Sequence, residues 1–442
     1  MPTPDIQPES ETSGVPTAAQ SKRELLYAGI VVFLGITAVT LSQTNGLCVI
    51  PLRNLLKNNL HATRTATAAF IFWAGFAWYF KPFFGIFTDA FPLWGTRRKS
   101  YILLGSIIAL ALFLLLLRTP DSYGRLLAIF IAINVFQVVA STATGGFMTE
   151  RAQALAASGR FASIFQIAYQ MAGLIGGPLG GILGAVAFGW TGVAGAAVMF
   201  LPIPAVIFFL KEKRLQVDST RLLNDAGNQL KKIVSARTMW AAAGFSFLFY
   251  FAPGIQTALF YQQQNVLHMS TKMQGFMLFL NGFFGIVTAT IYGRYACKRW
   301  NLRTLLLWCI IIGACAQMGY ALYTSVDRAY IIESLWGLGW SAADMCLCDL
   351  YMRATPAGSE ALGFSLMVSV RNLSLFGADV LGAKAMDAFH IHFSTMAIAN
   401  GLISLITVPF IFFLPGFIVD RKDSSAEAER VPASSLKAVA EE

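Results

Sequence analysis

The sequence predicts an all-α membrane protein in which twelve transmembrane helices form two six-helix bundles. Of the 442 residues, 56% are hydrophobic and only 13% are charged, about half the charged share of a typical soluble domain. Uncharged apolar runs such as 101–117 and 126–147 approach the roughly 20 residues that cross a bilayer. Backbone groups in lipid must bond to one another, and these runs do not alternate as barrel strands do, so each run is predicted to be a helix.

The order of apolar and polar segments predicts two related halves. A polar, basic segment over 211–238 separates six spans in 25–210 from six in 239–418, which is the layout of transporters built from two halves. Residues 1–24 and 419–442 are polar and are predicted to be disordered cytoplasmic tails. The twelve spans are expected at about 25–50, 66–88, 100–118, 124–147, 160–184, 188–210, 239–262, 273–295, 303–323, 328–351, 361–385 and 393–418.

The distribution of basic residues predicts the orientation. With both tails placed in the cytoplasm, 23 of the 33 Lys and Arg fall in cytoplasmic segments and seven in external loops. Cytoplasmic loops of membrane proteins carry such an excess, so we expect a multi-pass protein of the cell membrane with both termini inside. The net charge of +10 therefore serves topology, and no nucleic-acid partner is expected. The six scattered cysteines suit neither a disulfide framework nor a zinc site, so no metal or cofactor is expected, and we expect a monomer.

Matching positions in the two halves indicate a duplication. Arg151 follows span four and Ser163 lies twelve residues later, while Arg353 follows span ten and Ser365 lies twelve residues later. The offset between the halves is 202 residues in both cases. Internal repeats of this kind are common in secondary transporters.

The segment after span two, 85–99, reads GIFTDAFPLWGTRRK. It resembles the loop signature of the major facilitator superfamily, and the resemblance implies the major-facilitator fold. Asp89 lies at a helix end, where a carboxylate can pair with cations or with helix N-termini of neighbouring spans. Breaking such contacts would let the halves rock, although a purely topological role for the basic residues is the alternative. The candidate conformational latch consists of Gly85, Asp89, Gly95, Arg97 and Arg98.

A longer segment, 81–101, is similar to the biopterin/folate transporter family. It reads KPFFGIFTDAFPLWGTRRKSY, and that family carries a Lys-Pro in span two and a Phe-Pro insertion in the following loop. Further similar stretches lie at 150–152, 252–261 and 356–361, and the resemblance covers about 25–420. It implies a secondary transporter, proton-coupled, for folate, a pterin or a similar organic anion. Two departures, at Gly145 and over 346–349, fall where substrate or coupling groups are expected.

The sequence suggests two alternative functions. Span five contains GLIGGPLGG at 173–181, which looks like the span-five motif of drug–proton antiporters, and the alternative function is therefore a drug or metabolite exporter. Close packing of helices on small residues explains the same glycines equally well. A polytopic membrane enzyme would need a nucleophile with its base, or metal ligands, and the sequence offers neither. No GxxxxGK[ST] loop is present, which argues against ATP-driven transport.

Ionisable residues inside spans predict the substrate site, because a lone charge at the bilayer centre costs at least about 2.5–3.5 kcal/mol. Arg371 is expected to hold a substrate carboxylate through two parallel hydrogen bonds, and Lys81 is a second cation from the opposite half. The alternative is that Arg371 is neutralised by an acid such as Asp379 and only ties helices together. Aromatic residues are expected to stack on a planar pterin. The predicted substrate site consists of Arg371, Lys81, Asn372, Ser369, Gln256, Trp340 and Tyr261.

Two carboxylates in the spans are predicted to carry the coupling proton. Asp344 shares one face of span ten with Trp340, and Asp379 lies on the polar stripe of span eleven. A carboxylate in surroundings that exclude water is readily neutralised by protonation.

Overall fold

The computed structural model describes residues 18–423, except for 44–45, 49–50, 53–54, 62–69, 71–72, 119–121, 185, 213–221, 253, 256–257, 260–261 and 270. A few side chains within the described helices, including that of Asp379, are also not described. The described residues are almost entirely helical, with one isolated β-bridge between Leu93 and Thr96.

Each of the twelve predicted spans contains helix. In the first half the helices are Ala18–Ser42 in span one, Phe76–Tyr79 and Lys81–Ala90 in span two, Lys99–Leu115 in span three, Tyr123–Ala154 in span four, Ser158–Leu183 in span five, and Gly189–Phe200 and Pro202–Phe209 in span six. The linker contains the helix Leu222–Ser235. In the second half they are Arg237–Tyr250 in span seven, Thr271–Ile291 in span eight, Leu302–Gly319 in span nine, Val326–Ala354 in span ten, Glu360–Phe389 in span eleven and Phe393–Ile406 in span twelve.

Short elements complete these spans. They are the π-helices Leu55–Asn59, Gln262–Val266 and Tyr292–Ala296, the 3₁₀-helices Tyr320–Leu322 and Val408–Phe413, and the short α-helices Cys297–Arg299 and Gly416–Val419. Within the described parts of the chain, six helices are long and apolar enough to cross a bilayer, among them Tyr123–Ala154 and Leu302–Leu322.

Several helices differ in extent from the predicted spans. The first helix includes 18–24, inside the segment predicted to be a tail, because these residues continue the helix without a Gly or Pro to stop it. Spans four and ten continue to Ala154 and Ala354. We call the end of the molecule where these two helices finish the inner end, since its basic residues predict that it faces the cytoplasm.

Span two is broken beside Lys81, one of the predicted substrate residues. A turn at Phe80 separates its two helices, and Lys81 and Pro82 open the second one. Proline is favoured at the first helical positions because its missing N–H has no partner there in any case. The break therefore places Lys81 at a helix start in the middle of the bundle rather than at its surface.

Buried apolar side chains join the halves at the inner end. The largest cluster takes residues from both halves, including Met148 and Phe161 from the first and Tyr292 and Leu350 from the second. Two smaller clusters each belong to one half, one within 38–199 and the other within 255–397. The described core therefore holds the halves together at the inner end and is divided between them towards the opposite end.

Candidate functional site

A cavity of about 310 Å³ lies between the halves. This is the lower end of the roughly 300–1,000 Å³ usual for small-molecule sites. Spans one, two, four and five of the first half and spans ten and eleven of the second contribute to its wall. Four of the predicted site residues line it: Lys81, Asp344, Arg371 and Asn372.

Lys81 is a buried cation in this wall. Its side chain is 4% exposed, its Nζ donates a hydrogen bond to the Ser141 hydroxyl at 2.9 Å, and it lies 5.4 Å from the centre of the Trp78 ring. Trp78 is held in turn by a 2.8 Å hydrogen bond from its Nε1 to Asn134. No carboxylate among the described residues forms an ion pair with Lys81, so the wall presents a positive charge that an anion can neutralise.

Arg371 reaches the cavity from span eleven and is paired with span ten. Its Nε lies 2.9 Å from Asp344 Oδ1, and Asp344 also accepts a hydrogen bond from the Tyr250 hydroxyl. The guanidinium lies over two rings, 5.8 Å from the centre of Tyr169 and 5.3 Å from that of Tyr250. The sequence proposed Asp379 as a neutralising acid for this arginine, and the structure supplies Asp344 from the neighbouring span.

Aromatic rings form much of the remaining wall. They are Trp78, Tyr79, Phe165, Tyr169, Tyr351 and Phe364. Phe165 of the first half meets Phe364 of the second edge to face, with ring centres 5.9 Å apart. Both halves therefore contribute aromatic rings to the cavity wall, on which a flat ligand can stack.

The other predicted substrate residues are divided. Asn372 lies in the wall and accepts a long hydrogen bond, 3.5 Å, from Arg371. Trp340 is not one of the described residues that line the cavity, because it stacks on Trp336 with ring centres 4.9 Å apart. Ser369 is also absent from that wall, and its buried hydroxyl has no hydrogen-bond partner within the described part of the chain. Gln256, Tyr261 and the Asp379 side chain lie outside what the structure describes.

The predicted latch joins the halves at the inner end. Asp89 accepts hydrogen bonds from the backbone N–H groups of Ala361 and Leu362, at 3.3 and 2.9 Å, at the start of span eleven. Arg98, 2% exposed, lies 2.7 Å from Asp89 and 3.4 Å from Glu360. A buried cation between two carboxylates is costly to break, at about 3–5 kcal/mol when one partner is removed. We call this arrangement the first latch.

The remaining latch residues have separate roles. A Cβ on Gly85 would lie 2.7 Å from the Leu362 Cα, so a glycine is required for spans two and eleven to approach. Gly95 has a φ of 80°, which glycine adopts without strain. Arg97 forms no ion pair within the described residues, and its backbone N–H donates to Glu212 at 2.8 Å.

The hydrogen bonds of two glutamates in the structure could not be predicted from the sequence. Glu212, the second residue of the linker, also accepts from the backbone N–H of Lys99 at 2.9 Å and so caps span three. Glu333 is buried in span ten and accepts hydrogen bonds from the hydroxyls of Tyr320 and Tyr323, both at 3.1 Å. Their partners are far away in sequence or uncharged, and neither pattern can be recognised from local spacing.

The comparison with protein families agrees with this geometry. The sequence model described as Major Facilitator Superfamily matches residues 29–378. The chain belongs to the major facilitator superfamily. The proteins of this superfamily that it matches are transporters, which decides against the membrane-enzyme alternative.

Two members of the superfamily are similar to this chain over most of its length. The chain is 26% identical over 407 residues to a folate-biopterin transporter of Synechocystis, covering 87% of this chain and 81% of that protein. It is 24% identical over 398 residues to folate transporter 1 of Plasmodium falciparum, covering 84% and 76%. The similarity to the biopterin/folate transporter family thus extends over most of the chain.

Solved structures share the fold. The human organic anion transporter MFSD10 (TETRAN) superposes with a TM-score of 0.64 at 16% identity, covering 89% of this chain and 99% of that one. The transporter FucP, solved in the outward conformation, also superposes with a TM-score of 0.64, at 14% identity, covering 88% and 99%. At these identities the likeness shows the major-facilitator fold.

Proposed function

We propose that this chain is a proton-coupled secondary transporter that moves folate, a pterin or a similar organic anion across the cell membrane by alternating access. The observation that carries the proposal is Lys81, a buried cation without a described ion-pair partner, in an aromatic cavity between the halves. The names of the Synechocystis and Plasmodium relatives support the choice of substrate.

The cavity chemistry matches the two parts of a folate-like ligand. A pterin is flat and aromatic and stacks on rings such as Phe165 and Tyr169. A glutamate carboxylate is an anion and pairs with Lys81, whose positive charge is otherwise expensive to bury. The N–H groups of Arg371 that do not face Asp344 are further donors for a carboxylate.

The pair of Asp344 and Arg371 provides a route for coupling. While Asp344 is ionised it holds the Arg371 Nε at 2.9 Å. A proton on Asp344 removes the negative charge, weakens the ion pair and frees the guanidinium for the substrate. Proton binding and anion binding then favour each other, which is the reciprocal coupling that a symporter requires. Asp379 remains the second candidate for the coupling proton.

The division of the core supports alternating access. The described core joins the halves at the inner end and separates into one cluster per half towards the other end. Rocking of the halves about the central cavity would exchange this arrangement for its opposite. We place both termini in the cytoplasm on the strength of the basic inner end and propose that a monomer suffices, because the cavity is formed within one chain.

The exporter alternative gains no separate support from its glycine motif. A Cβ on Gly173 would lie 3.5 Å from the Leu278 carbonyl oxygen of span eight, and one on Gly180 would lie 3.0 Å from that of Leu47. These glycines therefore allow close helix packing, which any major-facilitator transporter needs.

Uptake into proteoliposomes tests the proposed function. The purified protein is reconstituted, and accumulation of labelled folate is measured with and without a pH gradient that is acidic outside, with protein-free vesicles as the control. We expect folate to accumulate above its external concentration only with the gradient, and excess unlabelled biopterin to compete. Equal uptake with and without protein would overturn the transport assignment, and facilitated uptake that ignores the gradient would overturn proton coupling.

A further inference from the structure

The segment that follows span twelve docks at the inner end, although the sequence predicts a disordered tail there. Asp423 is 4% exposed. Its carboxylate accepts hydrogen bonds from the backbone N–H groups of Gly159 and Arg160, at 3.2 and 2.9 Å. These two residues begin span five, in the opposite half of the molecule. The segment after span twelve therefore bridges from the second half to the first at Asp423.

This contact repeats the first latch with the halves exchanged. In the first latch Asp89 accepts from the N–H groups of Ala361 and Leu362. Gly159 and Arg160 lie 202 residues before these two, which is the offset that relates the halves. Each latch thus has one carboxylate on the same two N–H groups of equivalent helices, where the helix dipole favours negative charge.

The loop between spans eight and nine lacks the acid that the first latch uses. Gly85 in span two packs against Ser365, and Gly293 at the end of span eight packs against Ser163, the counterpart of Ser365. Asp89 comes four residues after Gly85. The residue four after Gly293 is Cys297, whose side chain cannot cap a helix as a carboxylate does.

The backbone of Asp423 is hydrogen-bonded to that of Cys297. Its backbone N–H donates to the Cys297 carbonyl oxygen at 3.0 Å, so the tail carboxylate reaches the helix start from beside the residue that replaces the acid. Arg353 holds the segment from span ten: its Nη2 lies 3.2 Å from the Asp423 carboxylate, and its Nη1 donates to the Arg421 carbonyl oxygen at 2.7 Å. The charged and titratable groups that face Asp423 are Arg160, Cys297, Asp349 and Arg353.

We propose that residues 421–423 form a second latch. Asp423 supplies the carboxylate that position 297 lacks and holds the inner end closed between the halves. Release of the tail then favours the conformation that opens the inner end. The terminal segment thereby becomes part of the mechanism that sets the balance between the two conformations.

Cys297 is a native reporter for this latch, because it is buried under the docked segment. The background is the full chain with the exposed Cys315 replaced, Cys315→Ser, in detergent without substrate at pH 7.5. Labelling of Cys297 by N-ethylmaleimide is followed by peptide mass spectrometry. We expect Asp423→Ala to label faster by about tenfold, the factor that corresponds to ~1.4 kcal/mol, close to the loss of one hydrogen bond to a charged group.

Asp420→Ala is the matched control. Asp420 directly precedes the second latch and pairs with Arg303 of the same half, at 2.9 Å, so its removal should leave Cys297 protected. Equal acceleration in both variants, or none in Asp423→Ala, would overturn the second latch. Monodisperse elution of both variants shows that they are folded.

A second measurement distinguishes a segment that holds the inner end closed from one that only shields Cys297 from the reagent. Gln43 lines the cavity, and Gln43→Cys reports its accessibility to an impermeant thiol reagent added outside vesicles. If release of the tail opens the inner end, the halves close over the cavity, and Asp423→Ala should slow this labelling. Faster labelling of Cys297 with unchanged labelling at position 43 would show that the tail only covers the cysteine, and the proposal would fall. Neither readout needs a substrate, so failure here differs from failure of the proposed transport.

Discussion

Removing the positive charge of Lys81 tests the proposed substrate site most directly. In Lys81→Gln the positive charge disappears, while the amide keeps a hydrogen-bond partner for the Ser141 hydroxyl that Lys81 now contacts at 2.9 Å. The fold should therefore persist with little loss of thermal stability. Binding of an anionic substrate should weaken, because the carboxylate loses its charged partner inside a wall of low polarity.

The size of the effect follows from the burial of Lys81. A hydrogen bond to a charged group contributes about 1.5–3 kcal/mol, and each 1.4 kcal/mol is a factor of about ten in affinity. Because only 4% of the side chain is exposed, solvent screens this interaction little, and the whole range applies. We therefore expect folate to bind about ten to a hundred times more weakly. A neutral pterin without the glutamate tail should lose less than about threefold, because it makes no ion pair.

The assay is uptake of labelled folate and labelled biopterin by the same proteoliposomes, with KM determined for each. Lys298→Gln, which removes one exposed lysine at the inner end, is the control for net charge and should match the unmodified protein. An equal loss for folate and biopterin would show that Lys81 supports the structure and does not select the anion. Unchanged KM values for both would refute the reasoning altogether.

Three further perturbations follow from the contacts described above. Asp344→Asn should still exchange labelled for unlabelled substrate but fail to concentrate it under a pH gradient; full accumulation would remove Asp344 from the coupling route. Gly85→Val places a Cβ 2.7 Å from the Leu362 Cα, so overpacking should cost about 1–3 kcal/mol of stability and abolish uptake. The control Gly124→Val, with open space around it, should transport normally. Equal uptake by both variants would show that span two need not approach span eleven. Burial, together with the neighbouring Asp349 carboxylate, raises the pKa of Asp423 to about 6 from about 3.9 in a free chain. The docked tail therefore binds a proton more firmly than the free tail, and the stability of docking is greatest in acid and declines as the pH rises through about 6. A spin label at Lys422→Cys should be less mobile at pH 5.5 than at pH 7.5, and Asp423→Asn should remove this difference; the opposite trend would refute the sign.

The spans and the halves could be predicted because a bilayer leaves a chain few choices. Backbone groups in hydrocarbon must bond within the same helix, so apolar length alone reveals where helices lie, and a basic linker marks the division. Asp89 was recognisable because its segment resembles the loop signature of the major facilitator superfamily, and because a carboxylate at a helix end can pair with helix N-termini of neighbouring spans. Lys81, Asp344, Arg371 and Asn372 stood out because charged and polar residues inside spans are expensive.

Tertiary structure alone decided how those residues combine. The pairing of Arg371 with Asp344 depends on how spans ten and eleven of the second half pack against each other. The lack of a described ion-pair partner for Lys81 depends on which side chains the two halves bring to the cavity. Trp340 illustrates the limit, since it shares a helix face with Asp344 and yet stacks behind the cavity on Trp336. The sequence by itself determined the membrane helices, their grouping and the chemistry available in the spans, because these follow from local composition. The proposed anion site and the docking of Asp423 on span five were decided only by the fold, since a hydrogen bond or an ion pair depends on distances that no local pattern encodes.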